Sequence, residues 1–382
     1  MRKSSLGVFQ TLVLLFSQVL TLQVMFYPIV LVNLLKHLPR VLKNKKIGFG
    51  FLLIIFAAIS ISMRGSSIPF AIILLRFYCG IILVFGAFYC NKNLQITYVS
   101  FWLFILFIGY EFFSLALGST PFMYANFVNA GIENEIAGRV ALGNNTMRVV
   151  GPAMNSSVSG SILAVIFFYI LIGSKKSLQF EQKNLPLLVG LFITFMLCGS
   201  GTAIVVFMCL LLVYVFSRRK IPIRKSSFGL FAKLMTISFV LVILAISFGV
   251  FFADFLEGLV NSKWNIDYFI SGINYKILQI AVLDELQMIL LGADLSGSSS
   301  ESSGGDFVML SFVYHFGLIY VVAFTTYLFY VCKPENRVFL FTGLLSSMHY
   351  GTLFTLTGQV FFGALMAGSV CSKEFLQQHR IG

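Results

Sequence analysis

Acidic side chains are scarce in this chain: 14 Asp and Glu stand against 27 Lys and Arg among 382 residues, and charged residues of both signs make up only 11%. Soluble domains carry about a quarter of their residues charged. With 58% hydrophobic residues and a mean hydropathy of +0.92, a soluble globular fold is excluded. Also missing are a phosphate-binding glycine loop, a GxSxG elbow, an HExxH pair and a CxxC pair, which removes the enzyme classes that depend on those geometries. The six cysteines (Cys79, Cys90, Cys198, Cys209, Cys332 and Cys371) lie in or beside apolar runs. They imply neither a disulfide framework nor a metal site, and no metal or cofactor is expected.

What is present is a long series of apolar runs, so the chain reads as an all-α, polytopic integral membrane protein in which residues 1–382 form one domain. The net charge of +13 is dispersed through the gaps between runs and not gathered on a polar domain. Membrane lipid, not nucleic acid, is therefore the expected partner of these cations. Most basic residues fall on one alternating set of gaps, which positive-inside logic makes cytoplasmic. Arg64, Arg139, Arg148, Lys263 and Lys276 fall on the opposite set, and Arg76 lies inside a run.

A crossing needs about 20 apolar residues. The runs 47–63, 68–90, 96–117, 157–173, 228–252 and 307–331 each fit one crossing. The runs 185–217 and 338–371 are too long for one helix, have basic residues at both ends, and carry Cys198-Gly-Ser-Gly-Thr202 and His349-Tyr-Gly-Thr352 at their centres. Both predict hairpins of two short helices. Residues 6–35 allow one uncleaved, tilted span or a third hairpin turning near Ser17 to Gln23, and the flanking charges favour the hairpin. The sum is about 12 crossings, or 11 in the alternative, with both termini cytoplasmic. No internal repeat is visible, which argues against a repeat-built transporter.

Two extracytoplasmic loops, 118–156 and 253–306, exceed the ordinary length of connections in a compact fold and are expected to carry function. In the first, Arg148 stands just above a span, where a guanidinium suits a lipid-borne phosphate; interfacial snorkelling is the plain alternative. Arg139, farther from the span, reads as solvated or as a second phosphate ligand. Lys276 opens a helix-like segment of the second loop and could complete a diphosphate clamp. Arg76 needs pairing or hydration inside its run, and Glu111 in the next run is the expected partner. Asp306, at the entrance to 307–331, and His349, at the turn of the last hairpin, are the candidate proton acceptors for a hydroxyl. Either would serve equally well as a helix cap or hydrogen-bonded structural group.

These features resemble the Wzy-type polymerases of O-antigen and capsular polysaccharide, relatives of the O-antigen ligases in the bacterial inner membrane. The likeness lies in the architecture and in three short segments: Arg148-Val-Val-Gly151 with Met154-Asn155, Ser271-Gly-Ile-Asn-Tyr-Lys276 continuing to Leu290-Leu-Gly-Ala-Asp294, and Asp306-Phe-Val-Met-Leu through Gly317-Leu-Ile. Lys276 stands where the family usually has Arg, and the Cys198–Thr202 turn lacks an Arg that often follows its Ser. Asp306 stands where the ligases typically have His, which tilts the reading toward polymerase. The resemblance implies a metal-independent C-type glycosyltransferase that joins undecaprenyl-diphosphate-linked oligosaccharide repeats at the periplasmic face. Arg148, Lys276, Arg139 and Arg76 would bind the diphosphate, Asp306 or His349 would act on the acceptor hydroxyl, and a chain-length regulator protein would be a partner. A ligase and a lipid-linked-oligosaccharide flippase or transporter are the competing readings.

Overall fold

The computed structural model describes residues 2–20, 22–117, 119, 121, 149–174, 178–218, 290–293, 295 and 307–370. The run 228–252 and most of both long loops lie outside these residues. The described residues are helical, and their one β pairing is an isolated parallel bridge between Ile96 and Val370. In chain order the helices are α1 (Arg2–Leu15), α2 (Gln23–Lys36), α3 (Leu38–Lys43), α4 (Lys45–Met63) and α5 (Ile68–Leu74). A π-helical turn, Leu75–Cys79, carries α5 directly into α6 (Gly80–Cys90). There follow α7 (Tyr98–Ala116), α8 (Ser156–Ser174), α9 (Leu178–Cys198), α10 (Gly201–Arg218), α11 (Val308–Phe316), α12 (Leu318–Val331), α13 (Arg337–Ser347) and α14 (Leu356–Ala367).

Each of the three runs expected to fold as a hairpin divides into two helices at its polar centre, as α1–α2, α9–α10 and α13–α14. The α9–α10 turn is tight because Gly199 adopts φ +52°, the left-handed conformation that commonly follows a helix C-terminus. Among the described residues three helices, Lys45–Met63, Ile68–Cys90 and Tyr98–Ala116, are each long and apolar enough to cross a membrane. Counting α11 and α12 as one bent span makes four.

Packing is centred on α8, which lies against α9, α10 and α13, and on α14, which lies against α6 and α1. Polarity is inverted relative to a soluble protein. Thr11, Asn33, Ser161, Ser346, Thr357 and Gln359 are buried, whereas Val24, Leu42, Met63, Ile68 and Leu117 are among the most exposed side chains. Apolar area turned outward over many helices is the surface a hydrocarbon solvent stabilises.

One expectation fails. The run 307–331 is not a single straight crossing but two helices bent by 119° at Gly317. Gly317 has φ 79° and ψ 159°, a region open essentially to glycine alone. A Cβ there would run into the backbone of Leu290, Leu291 and Gly292. The end of the second long loop thus occupies the bend: Ala293 N–H donates to Tyr314 O at 2.8 Å, and Arg64 Nη1 donates to Ala293 O at 2.9 Å. Gly317→Ala is expected to destabilise the protein by about 3 kcal/mol through strain and overlap combined. Gly48→Ala, in α4 with no atom within 4 Å of its Cβ position, should be neutral or stabilising by about 0.5–1 kcal/mol. Thermal unfolding in detergent measures both, and equal melting of the two variants would contradict the account of the bend.

Candidate functional site around His349

Four stretches meet at the α13–α14 turn. His349, only 9% exposed, places Nδ1 2.9 Å from Thr202 Oγ1 in the α9–α10 turn. Its carbonyl accepts the N–H of Phe307, the residue that follows Asp306, at 2.6 Å. The imidazole ring lies 5.0 Å from the Phe307 ring and 4.0 Å from that of Tyr350, centroid to centroid. Phe307 has φ +59°, an uncommon left-handed conformation for a bulky residue and a mark of local strain held by its surroundings. The Thr202 contact fixes the ring plane of His349, as an orienting partner does for an imidazole that exchanges protons.

Buried hydroxyls tie the turn to α8. Ser200 Oγ donates to Ser157 Oγ at 2.7 Å, and Ser161 Oγ donates to Ser157 O at 2.7 Å. Ser346 Oγ is 2.8 Å from Ser161 Oγ and 2.6 Å from Thr352 Oγ1. Thr357 Oγ1 adds contacts to Pro152 O at 3.2 Å and Leu15 O at 3.1 Å. Short hydroxyl side chains allow close helix approach and hydrogen bonds across it, which suits packing where the hydrophobic effect between helices is weak.

Segment 149–155, which follows Arg148, is anchored from below. Glu111, fully buried in α7, accepts the N–H groups of Val150 at 2.6 Å and Gly151 at 2.8 Å on its two carboxyl oxygens. Ser159 Oγ donates to Val150 O at 2.6 Å. Asn155 Oδ1 caps α8 by accepting from Ser157 N at 2.9 Å and Val158 N at 3.1 Å, the usual N-cap arrangement. Gly151 takes φ +65° against Ser159, so a side chain there would disturb both the turn and the anchor.

Arg76 and Glu111 are not partners, contrary to the sequence expectation. The Arg76 guanidinium lies over the Tyr27 ring, 5.2 Å from its centroid, while Glu111 holds backbone amides. Arg76 belongs to the π-helical turn, where i to i+5 bonding releases carbonyls from the regular ladder. Gln359 Nε2 donates to two carbonyls of this turn, Arg76 O at 3.0 Å and Phe77 O at 3.2 Å, and to Phe354 O of the α13–α14 turn at 2.8 Å. The Tyr27 hydroxyl is 2.7 Å from Arg76 O and 3.0 Å from Gln359 Oε1, and its single hydrogen serves one at a time.

Of the residues singled out from sequence, the structure therefore places His349 at the convergence and Arg76 in a side cleft tied to it through Gln359. Asp306, Arg148, Arg139 and Lys276 lie outside the described residues, although the chain neighbours of the first two, Phe307 and Val149, are held in the cluster or beside it. Sequence reasoning missed Thr202 and Gln359, and misassigned Glu111. The signal for Gln359 was present as a lone amide in the apolar stretch Leu356–Ala367; that for Thr202 was its place in a glycine turn. Compared with known proteins, the chain matches no family model, no curated protein and no solved structure.

Proposed function

We propose that the chain is a polysaccharide polymerase of the Wzy type: an integral membrane glycosyltransferase with about 12 crossings, both termini cytoplasmic, in the bacterial inner membrane. It transfers a growing glycan from its undecaprenyl diphosphate to a sugar hydroxyl of the next lipid-linked repeat, at the periplasmic face. Arg148, Arg139 and Lys276 offset the charge that develops on the departing diphosphate, and fixed cations in a partly dry site supply most of the stabilisation that such a transition state needs. His349 or Asp306 takes the proton of the attacking hydroxyl. The observation that carries the reading is the convergence at the α13–α14 turn. There His349, the residue after Asp306 and the anchored segment after Arg148 are tied into one buried hydrogen-bonded cluster, although they come from distant parts of the chain.

Among the described residues, the bend at Gly317 is a feature that a transporter reading would claim, since discontinuous helices line many transport sites. Here the bend is filled by the backbone of Leu290–Ala293, which favours an enzyme scaffold over a substrate passage. The test is an assay with purified protein in lipid vesicles, given undecaprenyl-diphosphate-linked repeats from its own pathway. A ladder of lengthened glycans is the expected product. A single transfer to a lipid A acceptor without a ladder would replace polymerase with ligase, and leaflet exchange of unaltered substrate would replace both with a flippase.

A further inference from the structure

Arg76 opens onto a cleft that the reaction leaves unexplained. The helix α2 has 14 residues, about 21 Å, whereas α5–α6 has 23, about 35 Å. The two are fastened together at one end: Asn91 Nδ2 donates to Asn33 Oδ1 at 2.7 Å, and Arg40 Nη1 donates to Cys90 O at 3.2 Å. The shorter helix therefore stops well before its neighbour does, and a cleft of about 590 Å³ remains, lined by Gln23, Val24, Tyr27, Leu31 and Arg76. Its two ends differ in chemistry. Gln23, Tyr27 and Arg76 form a polar, cationic end, with no carboxyl group among the described residues of the lining. Val24 and Leu31, 85% and 46% exposed, form an apolar flank continuous with the outward-facing apolar surface.

Arg76 is eight residues from Ile68, about 12 Å along the helix. A guanidinium at that depth of a bilayer costs several kcal/mol unless an anion or water meets it. The Tyr27 ring supplies part of that stabilisation, and a guanidinium is the side chain whose planar donors can pair with two oxygens of one anion. We infer that this cleft binds one anionic glycerophospholipid from the surrounding leaflet, its phosphodiester on Arg76 and an acyl chain along Val24 and Leu31. One cation matches the single charge of a phosphodiester; a diphosphate carries more charge and calls for several cations. This separates Arg76 from the set of cations assigned to the reacting diphosphate. The inference rests on the membrane-spanning reading above but not on the polymerase reading. Because Gln359 bonds both Arg76 O and Phe354 O, the bound lipid also braces the turn that presents His349.

The experiment reconstitutes the full chain into nanodiscs of phosphatidylcholine with a minor fraction of phosphatidylglycerol, extracts it into mild detergent, and counts retained lipid by native mass spectrometry. Wild type should keep one phosphatidylglycerol per chain. Arg76→Gln should lower that retention on the order of tenfold, as loss of a charge-assisted bidentate contact predicts. Leu31→Trp, which fills the cleft and leaves Arg76 in place, should lower it as well and guards against a folding artefact in the first variant. Equal retention in wild type and both variants overturns the inference while leaving the membrane reading intact. Displacement of phosphatidylglycerol by equimolar undecaprenyl diphosphate in wild type but not in Arg76→Gln also overturns it, by returning the cleft to the reaction substrate. Failure of the chain to insert into nanodiscs at all would instead sink the membrane reading.

Discussion

Arg148→Ala is expected to abolish glycan ladders, lowering the rate of chain extension by about a hundredfold or more, the usual loss when a donor to the developing negative charge is removed from a preorganised site. Arg148→Lys should recover part of that rate, because a lysine keeps the charge but cannot pair with two phosphate oxygens at once. The measurement is product length distribution from purified protein and lipid-linked repeats, alongside thermal unfolding in detergent. Melting should be little changed, since Val149 and the residues after it are held by groups other than Arg148: Val149 is fully buried and Val150 and Gly151 hang on Glu111. A normal ladder from Arg148→Ala would remove the diphosphate clamp from the proposed function.

Glu111→Ala should have the largest effect on stability. It strips both acceptors from two amides in a fully buried site, at about 1–3 kcal/mol for each group left without one, and adds a cavity. The expected loss is about 3–5 kcal/mol, together with loss of chain extension because the segment leading from Arg148 is no longer fixed. Glu111→Gln keeps one acceptor and presents an NH2 group to the other amide, so it should be intermediate in stability. Thermal unfolding of both variants in detergent, compared with wild type, gives the answer. If Glu111→Ala melts with wild type, the carboxyl is not the anchor and Arg148 must be positioned by other contacts.

Helix content and the division of three long runs into two helices each were legible in the sequence because length, charge at both ends and polar centres all constrain the same choice. The bend at Gly317 was not. A glycine within an apolar run has no distinguishing pattern, and the partner that fills the bend, Leu290–Ala293, comes from a loop more than twenty residues upstream. The role of Glu111 was hidden for a related reason. Charge counting looks for an opposite charge, and Arg76 was the cation read inside an apolar run, but a carboxyl group in a dry interior is satisfied equally well by backbone N–H groups. Gln359 shows the same limit: two of its partners are carbonyls of a π-helical turn, and no side-chain pattern announces such a turn. Local rules identified the elements, while the polar contacts between them are long-range and depend on where backbone groups fall out of their ladders.

The position of α14 has a consequence for the order of folding. This helix packs against α1 and α6, far from it in the chain. Gly363 meets Val84 and the backbone of Phe85, and Thr357 reaches Leu15 across 342 positions. Contacts between such distant segments form only after long loops have closed, so folding pays their entropy before their packing rewards it. The neighbouring pairs, α2 with α6 and α4 with α6, close shorter loops, and α14 is expected to dock after them. Until it does, the Phe77 carbonyl lacks the Gln359 amide that it accepts from across 282 positions.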